Sequence, residues 1–143
     1  MTATLRPYLN FPGTTREAMT FYHEVFGGEL TVASFADLGA LPADHPAADQ
    51  VMHSELNGPV VVLSAADVPE GVAPVTLNRG NDVNLAIMAD DEAQVRTWFD
   101  ALSQGADIEM PLGVQIWGDI YGSLTDRFGT GWMFNVRQHS QGD

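Results

Sequence analysis

The chain carries one pattern twice. Ala18, Phe21, Tyr22 and Val25 are spaced i, i+3, i+4, i+7, and Val95, Trp98, Phe99 and Leu102 repeat that spacing 77 residues later. Gly28 and Gly105, each just past its run, keep the same offset. Apolar residues at this spacing share one helix face, and a glycine just beyond suits the left-handed turn that ends a helix. An alternating stretch that reads as a strand precedes each run, at residues 6–11 and 84–89, and further strand-like segments follow. A duplicated module of strand, helix and several strands restricts the fold to two small sheets, each covered by one helix. That places a site but does not say what the site does.

In the first module, residues 5–11 read as a strand, and Thr14 with Glu17 forms a capping-box signature for a helix that ends at Gly27-Gly28. Residues 29–36 alternate as a strand. Residues 37–49, with two prolines and several alanines, read as a loop: a mobile flap, or a rigid cover packed through Leu38 and Leu41. Residues 50–56 and 60–66 flank Asn57-Gly58, a hairpin signal. The second module is expected to contain a strand at 83–89, a helix capped by Asp90 or Asp91, and strands at 107–110, 115–117, 122–126 and 132–137. The whole chain, 1–143, reads as a single domain in which module 1–66 and module 82–137 are joined by a connector at 67–81.

Composition excludes several kinds of chemistry. There is no cysteine, so no thiolate nucleophile, thiolate zinc site or disulfide. There is no lysine, so no Schiff base on a side chain. Neither GxGxxG, a P-loop nor GxSxG is present, which removes dinucleotide, nucleoside-triphosphate and ordinary serine-hydrolase readings. The formal charge of −13 repels phosphate backbones and anionic lipid, so no nucleic-acid or membrane partner is expected. No apolar run reaches membrane-spanning length, and the first residues lack a basic-then-apolar signal, so the expected location is the cytoplasm.

Alternation assigns faces. Pro7, Leu9, Phe11, Leu85, Ile87 and Ala89 would face the helices, while Arg6, Tyr8, Asn10, Asn84, Ala86 and Met88 would lie on the opposite, more polar side. Two such sheets imply curved mixed sheets around a cleft between the modules, the default place for a ligand.

Several motifs together are specific. They are Pro7-Tyr-Leu-Asn-Phe-Pro-Gly13, Arg16-Glu-Ala-Met, Phe21-Tyr, Phe26-Gly-Gly and Val51-Met-His-Ser-Glu-Leu56, then Met110-Pro-Leu, Trp117-Gly, Tyr121-Gly, Asp126-Arg-Phe-Gly129 and Trp132-Met-Phe-Asn135. With them the chain resembles the vicinal oxygen chelate superfamily of glyoxalase I, bleomycin-resistance proteins and extradiol dioxygenases, in its PhnB-like branch. The resemblance covers nearly the whole chain. It implies an α+β fold of two βαβββ modules in pseudo-twofold repeat, a homodimer and a small-molecule cleft. Members of this branch are often labelled ubiquinone methyltransferase-like, yet no glycine-rich methyl-donor loop is visible here.

The resemblance also implies where a metal would sit. Enzymes of the superfamily place histidine or glutamate ligands on the first and last strands of each module, positions that fall here on Arg6, Val62 or Leu63, Asn84 and Met133. None offers an imidazole or carboxylate, so no metal and no other cofactor is expected. His53 and Glu55, two apart on a strand, share a face and could bind or deprotonate a ligand; the alternative is a histidine bonded within the strand pair and a glutamate at a wet rim. Trp117 and Tyr121 could stack on a flat ligand or simply pack. His23 reads as a solvated helix residue, His45 as a loop residue and His139 as part of a polar tail, while Trp98 and Phe99 read as core. The candidate ligand-binding set is Arg6, Tyr8, His53, Glu55, Asn84, Trp117, Tyr121, Met133 and Asn135. Three functions remain, in order: a metal-independent binder of a small organic molecule; a lyase, isomerase or dioxygenase whose divalent metal uses groups such as His53 and Glu55; and an interaction module with a closed cleft.

Overall fold

A computed structural model of the chain describes residues 2–138; His139 lies outside them. The chain forms two compact units, Met1–Asn78 and Arg79–Asp143. In the first, β1 (Tyr8–Phe11) is followed by α1 (Thr15–Phe26), β2 (Glu29–Ser34), β3 (Val51–Asn57) and β4 (Val62–Asp67). The sheet order is β1-β4-β3-β2, with β1 parallel to β4 and the other pairs antiparallel. Helix α1 buries Ala18, Met19, Phe21, Tyr22 and Phe26, and the unit's buried strand residues include Phe11, Val51, Leu56, Leu63 and Ala65. Each large side chain removed from water in this way contributes roughly 1.5–3 kcal/mol.

The start of α1 departs from expectation. Thr14 makes no side-chain capping bond, so the Thr14–Glu17 box is not formed. The acceptor comes instead from the end of β4: buried Asp67 takes the Thr15 N–H at 3.0 Å and the Val51 N–H at 2.8 Å. A carboxylate at a helix N-terminus also meets the positive end of the helix dipole. After α1, Gly28 has φ +97° and its α-carbon lies against Gly58; a Cβ there would stand 2.6 Å from the Gly58 α-carbon. The segment 37–49 is a succession of turns. It is tied back by Phe35 N–H to Gln50 O and Ala36 N–H to Ala48 O, with Ala47 and Ala48 buried. Leu38, expected to anchor a cover, is exposed, since small alanines fit where the chain returns to the sheet.

The second unit repeats the topology. β5 (Leu85–Ala89), α2 (Glu92–Leu102), β6 (Asp107–Val114), β7 (Ile120–Thr125) and β8 (Gly131–Val136) give the order β5-β8-β7-β6, with β5 parallel to β8. Asp91 is the cap, accepting the Gln94 N–H at 3.1 Å. Helix α2 buries Val95, Phe99 and Leu102. Trp98 is only half-buried, because at about 100° per residue it falls on the rim of that stripe. Residues 115–117 are not a strand: Gln115 N–H bonds to Asp119 O and Gly118 N–H to Gln115 O, making the turn between β6 and β7. Gly118 at φ +98° permits that turn, and β6 runs on to Val114 instead of stopping at Met110. The molecule is therefore α+β, with two four-stranded mixed sheets, each carrying one helix, in two βαβββ modules. Among the described residues no helix is long and apolar enough to cross a membrane.

Candidate functional site

In both units the strand faces alternate as the sequence implies. Phe11 is buried and Leu9, Leu85, Ile87 and Ala89 are half-buried, while Tyr8, Asn10, Ala86 and Met88 are exposed. Pro7, expected on the helix side, lies ahead of β1 and is exposed.

On the first unit's open face, Tyr8, Ser64 and Glu55 form one row across three strands, because Ser64 pairs with Tyr8 on one side and with Glu55 on the other. His53 and Asn57 share that face of β3 by the two-residue period. The side chains are joined. Tyr8 Oη lies 3.0 Å from His53 Nδ1, and His53 Nε2 lies 3.0 Å from Glu55 Oε2. Arg6 Nη2 donates to Asn57 Oδ1 and reaches Glu55 Oε1 at 3.5 Å. The bond from His53 holds the Glu55 carboxyl below the usual range, helped by Asn57 and the Arg6 charge and opposed by partial burial. An ionised carboxylate only accepts, so Nε2 carries a proton; in the neutral imidazole Nδ1 then accepts, and Tyr8 donates to it. Burial pushes the Tyr8 hydroxyl up, and the Glu55 charge adds to the effect, so Tyr8 remains a donor at neutral pH. The Tyr8 and His53 rings also stack, with centroids 5.8 Å apart.

Two polar atoms of this face are shielded from water without a hydrogen-bond partner: Arg6 Nη1 and Ser64 Oγ. A buried donor left unmet costs about 1–3 kcal/mol, so such a pair needs a reason. Ser64 and Asn57 belong to this face without standing out in the sequence. Asn57 reads as a turn residue, although the spacing His53, Glu55, Asn57 continues one face; Ser64 needs the β1–β4 register, which no single segment reveals.

The second unit gathers another group. Trp117 Nε1 donates to Asn135 Oδ1 at 3.4 Å, and Asn135 Nδ2 donates to Asp119 Oδ2 at 3.0 Å. Asp119 Oδ1 accepts the Gln138 N–H at 3.1 Å. These bonds, Asn135 first and Gln138 second, hold the Asp119 carboxyl low, aided by the charge of Arg137. Trp117 meets Tyr121 edge to face at 5.8 Å. Tyr121 sits opposite Asn135, and Met133, opposite Ser123, shares their side of the sheet. Asn84 stands apart, its amide oxygen over Gly131, where a Cβ would come within 2.0 Å of it. Asp119 was missed in the sequence because it reads as turn.

The residues at the superfamily's ligand positions do not fit a metal ion. Strand parity selects Val62 over Leu63, since Leu63 is buried with the core. Arg6, Val62, Asn84 and Met133 then offer a cation, an isopropyl group, an amide and a thioether. His53 and Glu55 are bonded to each other, with the second imidazole nitrogen on Tyr8. Among the described residues no three histidine, aspartate or glutamate side chains are grouped to hold an ion. His45 Nδ1 accepts the Ala47 N–H at 3.0 Å, a structural role. His23 is half-buried, and its Nδ1 is shielded from water, unlike the solvated residue expected.

The fold and the paired modules define a class. Residues 8–134 match the family model of the Glyoxalase/Bleomycin resistance protein/Dioxygenase superfamily, and the chain belongs to that superfamily. Among solved structures it is similar to protein PA1353 from Pseudomonas aeruginosa, with 33% identity, a TM-score of 0.80 and coverage of 96% of this chain and 100% of that one. The PhnB protein of Bacillus cereus, described as a putative 3-demethylubiquinone-9 3-methyltransferase, shares the fold at 20% identity, with a TM-score of 0.74 and coverage of 94% and 100%. Protein YjdN of Escherichia coli K12 is 25% identical over 140 residues, spanning 92% of this chain and 94% of that protein.

Proposed function

We propose that the chain binds a small organic molecule on the polar face of its first sheet, and does so without a metal ion. One observation carries this reading: the face joins Arg6, Tyr8, His53, Glu55 and Asn57 into one linked polar group in which Tyr8 and the side chains of His53 and Glu55 stay about two-fifths or more exposed to an incoming ligand. Their chemistry is hydrogen bonding and ring stacking, not nucleophilic attack. Trp117 is bonded to Asn135 and meets the Tyr121 ring, so these groups already engage one another in the second unit although Trp117 stays exposed.

A thermal-shift screen of metabolites and antibiotics, paired with metal analysis of the purified protein, tests the proposal. It expects stabilising compounds in the absence of metal; stoichiometric bound metal required for their effect would overturn it. We propose further that the chain forms a symmetric homodimer, supported by open sheet edges and by the exposed apolar side chains of Met88, Val114, Ile116 and Trp117. Sedimentation at micromolar concentration should show a dimer, and monomer alone would refute this.

A further inference from the structure

The direction of one proton limits what this face can hold. Tyr8 stands on β1 and bonds to His53 on β3, so its ring spans β4, where the residues on this face, Ser64 and Ala66, are small and buried. The ring lies over that floor, and Tyr8 stays 48% exposed. The ionised Glu55 carboxylate fixes the His53 proton on Nε2, and His53 Nδ1 in turn takes the Tyr8 proton. A phenol has a single O–H, and here it is directed into the chain of side chains. Among the described residues His53 is the polar partner of Tyr8 Oη, so what the hydroxyl offers outward is a lone pair. Glu55 offers the same, since a carboxylate only accepts.

We propose that Tyr8 Oη is the acceptor for a neutral ligand that brings an O–H or N–H donor, and that His53 sets this preference by holding the Tyr8 proton. The inference rests on the binding reading above. A ligand carrying only acceptors would set lone pair against lone pair at Oη, and would have to break the bond to His53 to gain a proton. Arg6 and Glu55 lie 3.5 Å apart and offset each other, so the group has no spare charge of either sign to offer an ion. His53 need not touch the ligand. It is a positioning residue that acts through the hydroxyl, and Glu55 fixes its tautomer.

Amide NMR titrations of the full chain with indole and with quinoline, at mildly alkaline pH where imidazoles are neutral, test this. Both probes are flat, bicyclic and neutral; indole donates through its N–H, and quinoline only accepts. Indole should shift the amides of Tyr8 and residues 53–55 and bind there about five-fold more tightly than quinoline, the worth of one hydrogen bond. Benzamidinium, a flat cationic donor, should bind no better than indole. Tyr8→Phe should weaken indole about five-fold. His53→Ala frees the Tyr8 proton to point outward, so quinoline should gain and the preference should fall below about two-fold. His53→Gln, whose amide oxygen can accept from Tyr8 while its NH2 meets Glu55, should keep the wild-type preference, which mere loss of packing would not produce. Quinoline binding this face as tightly as indole, or a preference unchanged in His53→Ala, would overturn the inference. So would His53→Gln behaving as His53→Ala does, benzamidinium binding more tightly than indole, or indole failing to bind there. Compounds from the screen that carry no donor and still map to residues 53–57 would then leave the broader binding reading standing; failure of every compound on this face would overturn both.

Discussion

Asp67→Ala should cost the first unit several kcal/mol, for a reason visible in two bonds. Asp67 is buried at the end of β4 and accepts the Thr15 N–H through Oδ1 and the Val51 N–H through Oδ2. It ties the start of α1 and the start of β3 to one strand end, in place of the side-chain cap that Thr14 does not make. Alanine orphans both N–H groups. At about 1–3 kcal/mol for each buried group left unmet, the loss is roughly 2–6 kcal/mol, and removal of a negative charge from the helix start adds a few tenths. Asn at this position keeps one acceptor oxygen but turns an NH2 toward the other N–H, so it should recover less than half of the loss. Urea unfolding followed by far-UV circular dichroism measures both variants. A loss below about 0.5 kcal/mol for Asp67→Ala would show that the two bonds do not hold the helix, and would refute the reasoning.

Gly28→Ala combines a left-handed backbone with a Cβ driven onto Gly58, and should destabilise by at least about 1–3 kcal/mol in the same assay. Gly131→Ala would set its Cβ on the Asn84 amide oxygen, but Asn84 is exposed and its side chain can swing aside, so the loss should stay below about 1 kcal/mol; a larger loss in the same assay would contradict that freedom. The Glu55 carboxyl is held below its usual range by His53, Asn57 and Arg6, so its contribution is present above the unfolded pKa and is lost as pH falls through the lower folded value. Acid unfolding of Glu55→Gln should therefore be shallower than that of the wild type on the acidic side; an identical profile would remove Glu55 from the network.

The repeat was the most legible feature, because helix and strand periods are written in the residues themselves. The strand order β1-β4-β3-β2 and its copy in the second unit agree with two modules of one design. His53 with Glu55 was readable from a two-residue step on a strand. Their link to Tyr8 and Arg6 was not, since it depends on how β1 registers against β4 and β4 against β3. The same dependence hid Ser64. Capping was misread at Thr14 because a local signature competes with a buried carboxylate that arrives from 52 residues away. The turn at 115–118 was misread because Gln-Ile-Trp alternates like a strand, while Gly118 and the Asp119 carbonyl close a hairpin there.

Binding of an organic molecule, without metal, to the first unit's polar sheet face can be read residue by residue. The most direct measurement is to map the amide shifts of a screened ligand on chelator-treated protein. Shifts should centre on Tyr8, His53, Glu55 and Ser64 and stay unchanged when a divalent metal is added. A ligand that binds only after metal is restored, or that leaves those four residues unperturbed, would contradict it.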